Sequence, residues 1–272
     1  MKLKGEINMF TLTISPSWLE GEIYDKFEKA AEKGFKAIEI LNWIGLDLDR
    51  IQSEIERTGV EISAILFRST DPEKQKLIDN THGIVNADAH DAFLDAIQET
   101  IAAAKIVGTE NIVVTTGNEV SDMSREEQHA NVVKALSAAA PLAEEAGINL
   151  VLEPLNVLVN HKGYFLTTTA EAVEIIREVD SPKVRVLYDV YHQQITEGNL
   201  INTIRDNIDY IGHIHVGDVP GRNQPGTGEI NYKNVFKAIK DTGYEGYVVF
   251  ECGLTEDVDI AVPKMWALLE DI

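Results

Sequence analysis

The chain has 272 residues, so one large domain can bury a sizeable core, and its net charge at pH 7 is −21. Such an acidic surface argues against nucleic acid or an anionic membrane as a partner, because binding phosphate requires clustered cations. The one cysteine, Cys252, excludes an internal disulfide and a thiolate metal cluster, and no run is apolar enough for a signal peptide or a membrane span, so we expect a cytoplasmic protein.

Short apolar, β-rich runs alternate with longer amphipathic runs along the whole chain. The pattern predicts strands at residues 7–14, 37–41, 60–67, 111–115, 149–153, 184–188, 211–216 and 247–251. It predicts helices at residues 23–33, 46–58, 89–107, 124–146, 168–179, 200–207, 233–242 and 257–269. Repeated strand–helix units of this kind suit either a closed eight-unit barrel or an open doubly wound sheet.

The absence of a break in composition favours the barrel. The chain shows no linker or low-complexity tract, and no GxGxxG turn follows the first strand. Glycines follow several predicted helices, as helix C-termini prefer: Gly34, Gly59, Gly108, Gly147 and Gly243. We therefore predict an α/β fold in which residues 1–272 form a single domain, a (βα)8 TIM barrel.

Four consecutive predicted strands end in side chains that bind metals. Glu153, Asp189 and Glu251 close the fifth, sixth and eighth strands, and His215 lies near the end of the seventh. The carboxyl ends of barrel strands meet at one mouth. Each acid alone could be a helix cap, but four such residues on successive strands indicate a shared site. Three carboxylates and an imidazole suit one divalent cation, Mn²⁺, Mg²⁺ or Co²⁺, which would also offset their mutual repulsion.

The stretch IGHIHVGDVPGRNQPGTGEINY, residues 211–232, joins a strand to a long polar loop. Side chains two residues apart on a strand share a face, so His213 and His215 point the same way. The loop carries Asp218, Arg222 and Glu229 on a backbone shaped by glycine and proline. Arg222 suits the recognition of a carboxylate or of hydroxyls; the alternative is a surface salt bridge to Glu229 or Asp218.

Further polar residues are expected near the same mouth. His192 lies three residues beyond Asp189, and Asn156 follows the fifth strand. Together with Arg222 and Glu229 they are the candidate substrate-binding residues. Glu39 and Trp43 lie at or after the second strand, and we interpret Trp43 as packing.

Three stretches resemble a known family: LEPLN (152–156), LYDVYHQQITEGNL (187–200) and the 211–232 motif. They are similar to the hydroxypyruvate isomerase family within the xylose isomerase-like TIM-barrel superfamily of sugar isomerases and epimerases. The resemblance follows the strand order of the whole chain and is dense from Leu152 to Glu251. Barrels of this group often form dimers, so the resemblance leaves open that the protein is a homo-oligomer.

The resemblance implies a metal ion held by Glu153, Asp189, His215 and Glu251. Glu153 and Glu251 would also act as the acid–base pair, with His192 and Arg222 binding substrate. The implied reaction converts hydroxypyruvate, or a related 2-oxo-acid sugar, by proton transfer through an enediolate. For hydroxypyruvate the product would be tartronate semialdehyde.

Two positions bear on the alternative of a ketose 3-epimerase, and they point in opposite directions. Some hydroxypyruvate isomerases have Gln where His215 stands, whereas the epimerases have His; conversely, Val159 stands where the epimerases have a second substrate-binding Glu. An abasic-site endonuclease shares this barrel but needs additional histidines and a basic groove, which the charge of −21 disfavours. A non-catalytic sugar-binding protein is the remaining alternative.

Overall fold

The structure is a computed structural model that describes residues 10–80, 83–270 and 272. In these residues nine short strands pair in parallel in one sheet. They are β1 Thr11–Ile14, β2 Ala37–Ile38, β3 Glu61–Ile62, β4 Ile65–Leu66, β5 Asn111–Val114, β6 Asn149–Leu152, β7 Val184–Asp189, β8 Ile211–Val216 and β9 Tyr247–Phe250. The first predicted strand starts at residue 7, and its residues 7–9 lie outside the described part.

The sheet curls into a barrel of eight strands, the third of which is interrupted. The strand order is β3-β2-β1-β9-β8-β7-β6-β5-β4, and β3 and β4 are two pieces of the single strand predicted at 60–67. Between the pieces the ladder continues, because Ile40 N donates to Ala64 O at 3.3 Å. On the other side Phe67 N donates to Val113 O at 3.1 Å. The predicted TIM barrel is confirmed.

Ten α-helices surround the barrel in the described residues. They are α1 Lys26–Glu32, α2 Leu48–Thr58, α3 Pro72–Asn80, α4 His90–Val107, α5 Arg125–Ala146, α6 Thr169–Val179, α7 Val190–Thr196, α8 Leu200–Asn207, α9 Tyr232–Asp241 and α10 Val258–Ala267. The sequence pattern predicts neither α3 nor α7. Helices α2, α4 and α5 end at left-handed glycines, Gly59, Gly108 and Gly147, as expected. None of the described helices is long and apolar enough to cross a membrane.

Alternation along the strands divides the apolar core into two layers. On β6, Leu150 and Leu152 belong to the large core between strands and helices, whereas Val151 points into the barrel. Val151 forms one apolar cluster there with Ala64, Val113 and Leu187. Fully burying each such Val or Leu side chain contributes about 1.5–3 kcal/mol. This inner apolar layer supports the polar residues that follow the carboxyl ends of the strands.

Candidate metal centre

The four predicted metal ligands lie together at the mouth of the barrel. Glu153, Asp189, His215 and Glu251 each present one ligand atom, and these atoms all lie within 4.8 Å of one another. His215 Nδ1 lies 2.9 Å from Glu251 Oε2 and 3.6 Å from Glu153 Oε1. Glu153, Asp189 and His215 are buried, and Glu251 is partly exposed. The geometry therefore gathers acids from three strand ends and one imidazole around a common point.

Hydrogen bonds on both sides of Glu153 fix the end of β6. Its N–H donates to Val114 O at 3.0 Å, which extends the pairing with β5. Its carbonyl accepts from the Tyr164 hydroxyl at 3.0 Å, and that hydroxyl accepts from Thr116 N at 2.8 Å. Tyr164 thus ties the ends of β5 and β6 together and limits the movement of the Glu153 backbone.

Asp189 serves both as a helix cap and as part of the cluster. Its Oδ1 accepts from Tyr191 N at 2.8 Å and from His192 N at 3.3 Å, which caps α7. Its Oδ2 lies 3.1 Å from Arg222 Nη2. Burial opposes ionisation of Asp189, but His192 and Arg222 outweigh it and lower the pKa of its carboxyl.

Arg222 lies among the acids rather than on the surface. Its Nη2 pairs with Asp189 and with Glu251 Oε2. In the described residues it pairs with neither Asp218 nor Glu229, so the alternative of a surface salt bridge to those residues is wrong. The backbone of Arg222 has a φ of 53°, a left-handed conformation that is uncommon for a residue with a side chain.

Asp218 organises the loop that presents Arg222. The side chain is fully buried. Its Oδ2 accepts from Gly226 N at 2.9 Å and Gly228 N at 2.8 Å. Its Oδ1 accepts from Val219 N at 2.9 Å and Ile230 N at 3.1 Å. One carboxylate therefore satisfies four backbone donors of the loop, a role that sequence reasoning missed.

His192 is held as a neutral ring with a defined tautomer. Asn156 N donates to His192 Nδ1 at 3.1 Å, and the Asn156 side chain also contacts Nδ1, at 2.7 Å. Because a backbone N–H can only donate, Nδ1 is an acceptor and Nε2 carries the proton. Burial lowers the pKa of His192 to about 4. Its buried Nε2 has no hydrogen-bond partner among the residues that the structure describes and lies 3.5 Å from Asp189 Oδ2, so the N–H remains free for a ligand.

Glu229, the remaining candidate substrate-binding residue, lies apart from the cluster. The side chain is exposed, and its Oε1 accepts from Gln194 Nε2 at 3.3 Å. Gln194 is on α7, two residues beyond His192. A role for Glu229 in binding substrate stays a prediction.

Glu39 forms a second group with His213 and His215. The side chain is buried just after β2, and its Oε1 lies 2.9 Å from His213 Nε2 and 3.1 Å from His215 Nε2. Both histidines thus share a face of β8, as the sequence predicts. Burial would raise the pKa of Glu39, but the charge on His215 and hydrogen bonds from both rings lower it to about 2. The one sequence signal for this role is an acid within an apolar strand.

One cavity opens beside the cluster, and a second opens at the ends of β4 and β5. The first, of 420 Å³, is lined by Ser15, Glu39, Arg222 and Glu251 among others. The second, of 330 Å³, is lined by Arg68 and by residues that follow β5. Arg68 forms no ion pair with a described residue, and its buried Nε has no hydrogen-bond partner. The mouth therefore offers space for a small molecule and two guanidinium groups.

The donor set fits a divalent cation. Burial, reinforced by Glu251 and Asp189, raises the pKa of Glu153 to about 8 despite the nearby His215. Asp189 and Glu251 share one Arg222. The cluster is therefore short of positive charge, and three carboxylates with one imidazole are ligands that a hard or borderline divalent metal accepts.

Comparisons with known proteins agree with this architecture. The family model described as xylose isomerase-like TIM barrel matches residues 27–263. Hydroxypyruvate isomerase of Escherichia coli K12 is 31% identical over 240 residues, 88% of this chain and 91% of that protein. The 2-oxo-tetronate isomerase of Cupriavidus necator is 28% identical, over 88% of this chain and 90% of that protein.

Solved structures share the fold over nearly the whole chain. A structure titled AP endonuclease, family 2, from Brucella melitensis superposes with a TM-score of 0.86 at 24% identity and covers 95% of this chain and 99% of that chain. An L-ribulose 3-epimerase superposes with a TM-score of 0.74 at 25% identity, over 97% of this chain and 88% of that chain.

Proposed function

Because the chain belongs to the hydroxypyruvate isomerase family of xylose isomerase-like TIM barrels and is an isomerase, we propose that it is metal-dependent and acts on a small hydroxy-carbonyl acid. The proposed reaction converts hydroxypyruvate into tartronate semialdehyde, or acts likewise on a related 2-oxo-acid sugar. The observation that carries the proposal is the gathering of Glu153, Asp189, His215 and Glu251 within 4.8 Å. Mn²⁺, Mg²⁺ or Co²⁺ is the proposed cation.

In the proposed mechanism two glutamates move the proton. When bound, the cation would act as a Lewis acid that polarises the substrate carbonyl and makes the neighbouring C–H more acidic. One of Glu153 and Glu251, as carboxylate, accepts the proton from that carbon, and the other, as carboxylic acid, returns a proton to the former carbonyl carbon. The hydroxyl proton on the first carbon's oxygen passes to the former carbonyl oxygen, so that the products are the aldehyde and the new hydroxyl.

His192 and Arg222 bind the substrate in this proposal. The free Nε2–H of His192 donates to an oxygen that gains negative charge as the enediolate forms. Arg222 borders the 420 Å³ cavity and carries the donors that a carboxylate accepts. Asn156 holds the His192 ring and keeps its tautomer.

A ketose 3-epimerase is the second candidate. His215 stands where that class has His, and the L-ribulose 3-epimerase is similar over 97% of this chain. In an epimerase the second glutamate would return the proton to the same carbon from the opposite face. The same two carboxylates therefore allow either outcome.

Solvent-exchange measurements separate these candidates. We expect the Mn²⁺- or Mg²⁺-loaded protein in D₂O to place deuterium on hydroxypyruvate and its product, with formation of tartronate semialdehyde. Deuterium at C3 of a ketose, together with its 3-epimer, would favour the epimerase instead. If neither short hydroxy-keto acids nor ketoses exchange, the proposed function is wrong.

A second experiment tests whether Arg222 recognises the carboxylate. Arg222→Ala should raise KM for hydroxypyruvate about 10- to 100-fold, the value of one or two charge-assisted hydrogen bonds, and raise KM for neutral ketoses less. Arg68→Ala is the matched control, because Arg68 lines the neighbouring cavity and is not paired to the acids. Equal effects of Arg222→Ala on acidic and neutral substrates would remove Arg222 from this role. If only Arg68→Ala raises KM selectively for acidic substrates, recognition of the carboxylate would be assigned to Arg68 instead.

A further inference from the structure

The two ring nitrogens of His215 face different partners. Nδ1 faces the acids of the candidate metal centre, 2.9 Å from Glu251 Oε2. Nε2, on the other side of the ring, lies 3.1 Å from Glu39 Oε1. His215 is buried, and so is Glu39. The orientation of the ring is therefore set by a residue outside the four-ligand cluster.

The chemistry of Glu39 defines which nitrogen carries a proton. An ionised carboxylate can only accept hydrogen bonds, so His215 Nε2 must donate to it. His213 Nε2 contacts the same oxygen at 2.9 Å, which holds Glu39 in place from a second direction. The rings of His213 and His215 pack edge to face, with centroids 5.1 Å apart. Glu39 thus accepts from both rings in a buried, fixed arrangement.

We propose that Glu39, held by His213, is a positioning residue that keeps the proton of His215 on Nε2 and so presents the Nδ1 lone pair to the divalent cation. A carboxylate that binds the far nitrogen of a metal-binding histidine fixes its tautomer and raises its basicity. The proposal rests on the metal site of the proposed function and adds a contact that crosses the barrel mouth. Residues 39 and 215 are 176 positions apart in sequence.

The same three residues could alternatively hold a second cation, since their ligand atoms also lie within 4.8 Å of one another. The two short contacts to one Glu39 oxygen are instead those of hydrogen bonds, at 2.9 and 3.1 Å. A cation at that point would require both Nε2 protons to be removed. We therefore assign one cation per chain.

Metal affinity is the first test. Calorimetric titration of Mn²⁺ or Co²⁺ into the metal-free protein should give one site, and Glu39→Ala should weaken it about 10- to 100-fold, as loss of such a partner does elsewhere. Glu39→Gln should weaken it less, because its amide oxygen can still accept one hydrogen bond. Glu197→Gln is the matched control, since Glu197 is an exposed carboxylate that accepts from Thr169 N and Oγ1, outside the cluster.

Each outcome of the titration has a defined meaning. If Glu39→Ala does not fold, Glu39→Gln carries the test and must bind the cation more weakly than Glu197→Gln does. Affinities equal to that of the control in every folded Glu39 variant would overturn the proposal. Two cations per chain, the second lost in Glu39 variants, would also overturn it in favour of a second metal site.

The tautomer itself is the second test. In ¹⁵N–¹H spectra of ring-labelled protein loaded with Zn²⁺, His215 should carry its proton on Nε2, and Glu39→Ala should disturb that signal while that of His129 stays unchanged. A proton on Nδ1 of His215 in the loaded protein would contradict the proposal. Both tests measure metal binding in the absence of substrate. A protein that binds the cation through Nδ1 but converts no substrate would leave this inference intact and overturn only the proposed reaction.

Discussion

Glu153 and Glu251 both approach Nδ1 of His215, and the proposed reaction needs each to exchange a proton with substrate carbon. Glu153→Gln and Glu251→Gln keep the size of the side chain but remove this capacity. We expect each to lower kcat at least about 100-fold, since general acid–base groups contribute roughly 10²- to 10⁴-fold. Steady-state kinetics measures the effect, and circular dichroism checks the fold.

Glu197→Gln serves here as the control that should keep wild-type kcat. Retention of activity in both Glu153→Gln and Glu251→Gln would remove the two-glutamate mechanism. Loss in only one of them would assign both proton transfers to that residue.

The contrast between these two acids and Glu39 shows which site residues a sequence reveals. Glu153 and Glu251 could be predicted because each follows its own apolar strand, and this is a local signal. The role of Glu39 depends on His213 and His215, 174 and 176 residues away. No local pattern reports such contacts, because they exist only after the barrel closes.

Among the elements, the strands and long helices could be predicted because their burial pattern repeats. Helix α4 buries one face along 18 residues, and β6 alternates between two apolar layers. The short α7 has seven residues, too few for a helical period to stand out, although it carries His192. Likewise α3 is polar and buries only Ile78 among its described residues, so its sequence is typical of a loop.

The loop after β8 depends on Asp218, and this gives a prediction at the scale of an element. Asp218→Asn replaces one acceptor oxygen with a donor, so two of the four backbone N–H groups lose their partner. Each unsatisfied buried group costs about 1–3 kcal/mol, so for two groups we expect a loss of roughly 2–6 kcal/mol in the free energy of unfolding. Because the loop presents Arg222, KM should rise as well. Urea denaturation and kinetics measure the two effects.

Asp257→Asn is the matched control for the loop. Asp257 accepts from one backbone N–H at the start of α10, that of Asp259 at 2.8 Å. Asn is also a good helix cap, so this change should leave stability and KM close to wild type. If Asp218→Asn is as stable as the control, Asp218 does not organise the loop.

At the scale of the whole molecule, barrel closure concentrates negative charge in a protein that is already acidic, with a net charge of −21. In the metal-free fold the carboxyl of Glu153 therefore stays protonated near neutral pH, because burial raises its pKa from 4.5 to about 8. Between these pH values the folded protein retains a proton that the unfolded chain has released, so stability falls as pH rises. The pKa of His215 is also raised above 6.5, and its contribution likewise disappears as pH rises through the folded value.

The buried His192 has the opposite effect on the pH dependence of stability, but at lower pH. The pKa of His192 is lowered to about 4, so its effect ends near pH 6.5, where the unfolded chain has also lost that proton. Above pH 6.5 Glu153 and His215 dominate. We expect the free energy of unfolding of the metal-free protein to fall by at least roughly 2 kcal/mol between pH 6.5 and 8, because each proton that only the folded state retains contributes up to about 1.4 kcal/mol per pH unit.

Urea unfolding in the presence of a chelator, repeated across this pH range, measures the decrease. Glu153→Gln should reduce the slope, because the amide has no proton to lose. Saturating Mn²⁺ should reverse the decrease in stability. A cation that binds only the folded state adds about 2.7 kcal/mol when its concentration is 100 times its Kd, and it favours the ionised carboxylates. If the stability of the metal-free protein instead rises from pH 6.5 to 8, the buried acids are not short of positive charge, and the electrostatic reason for a cation at this mouth is wrong.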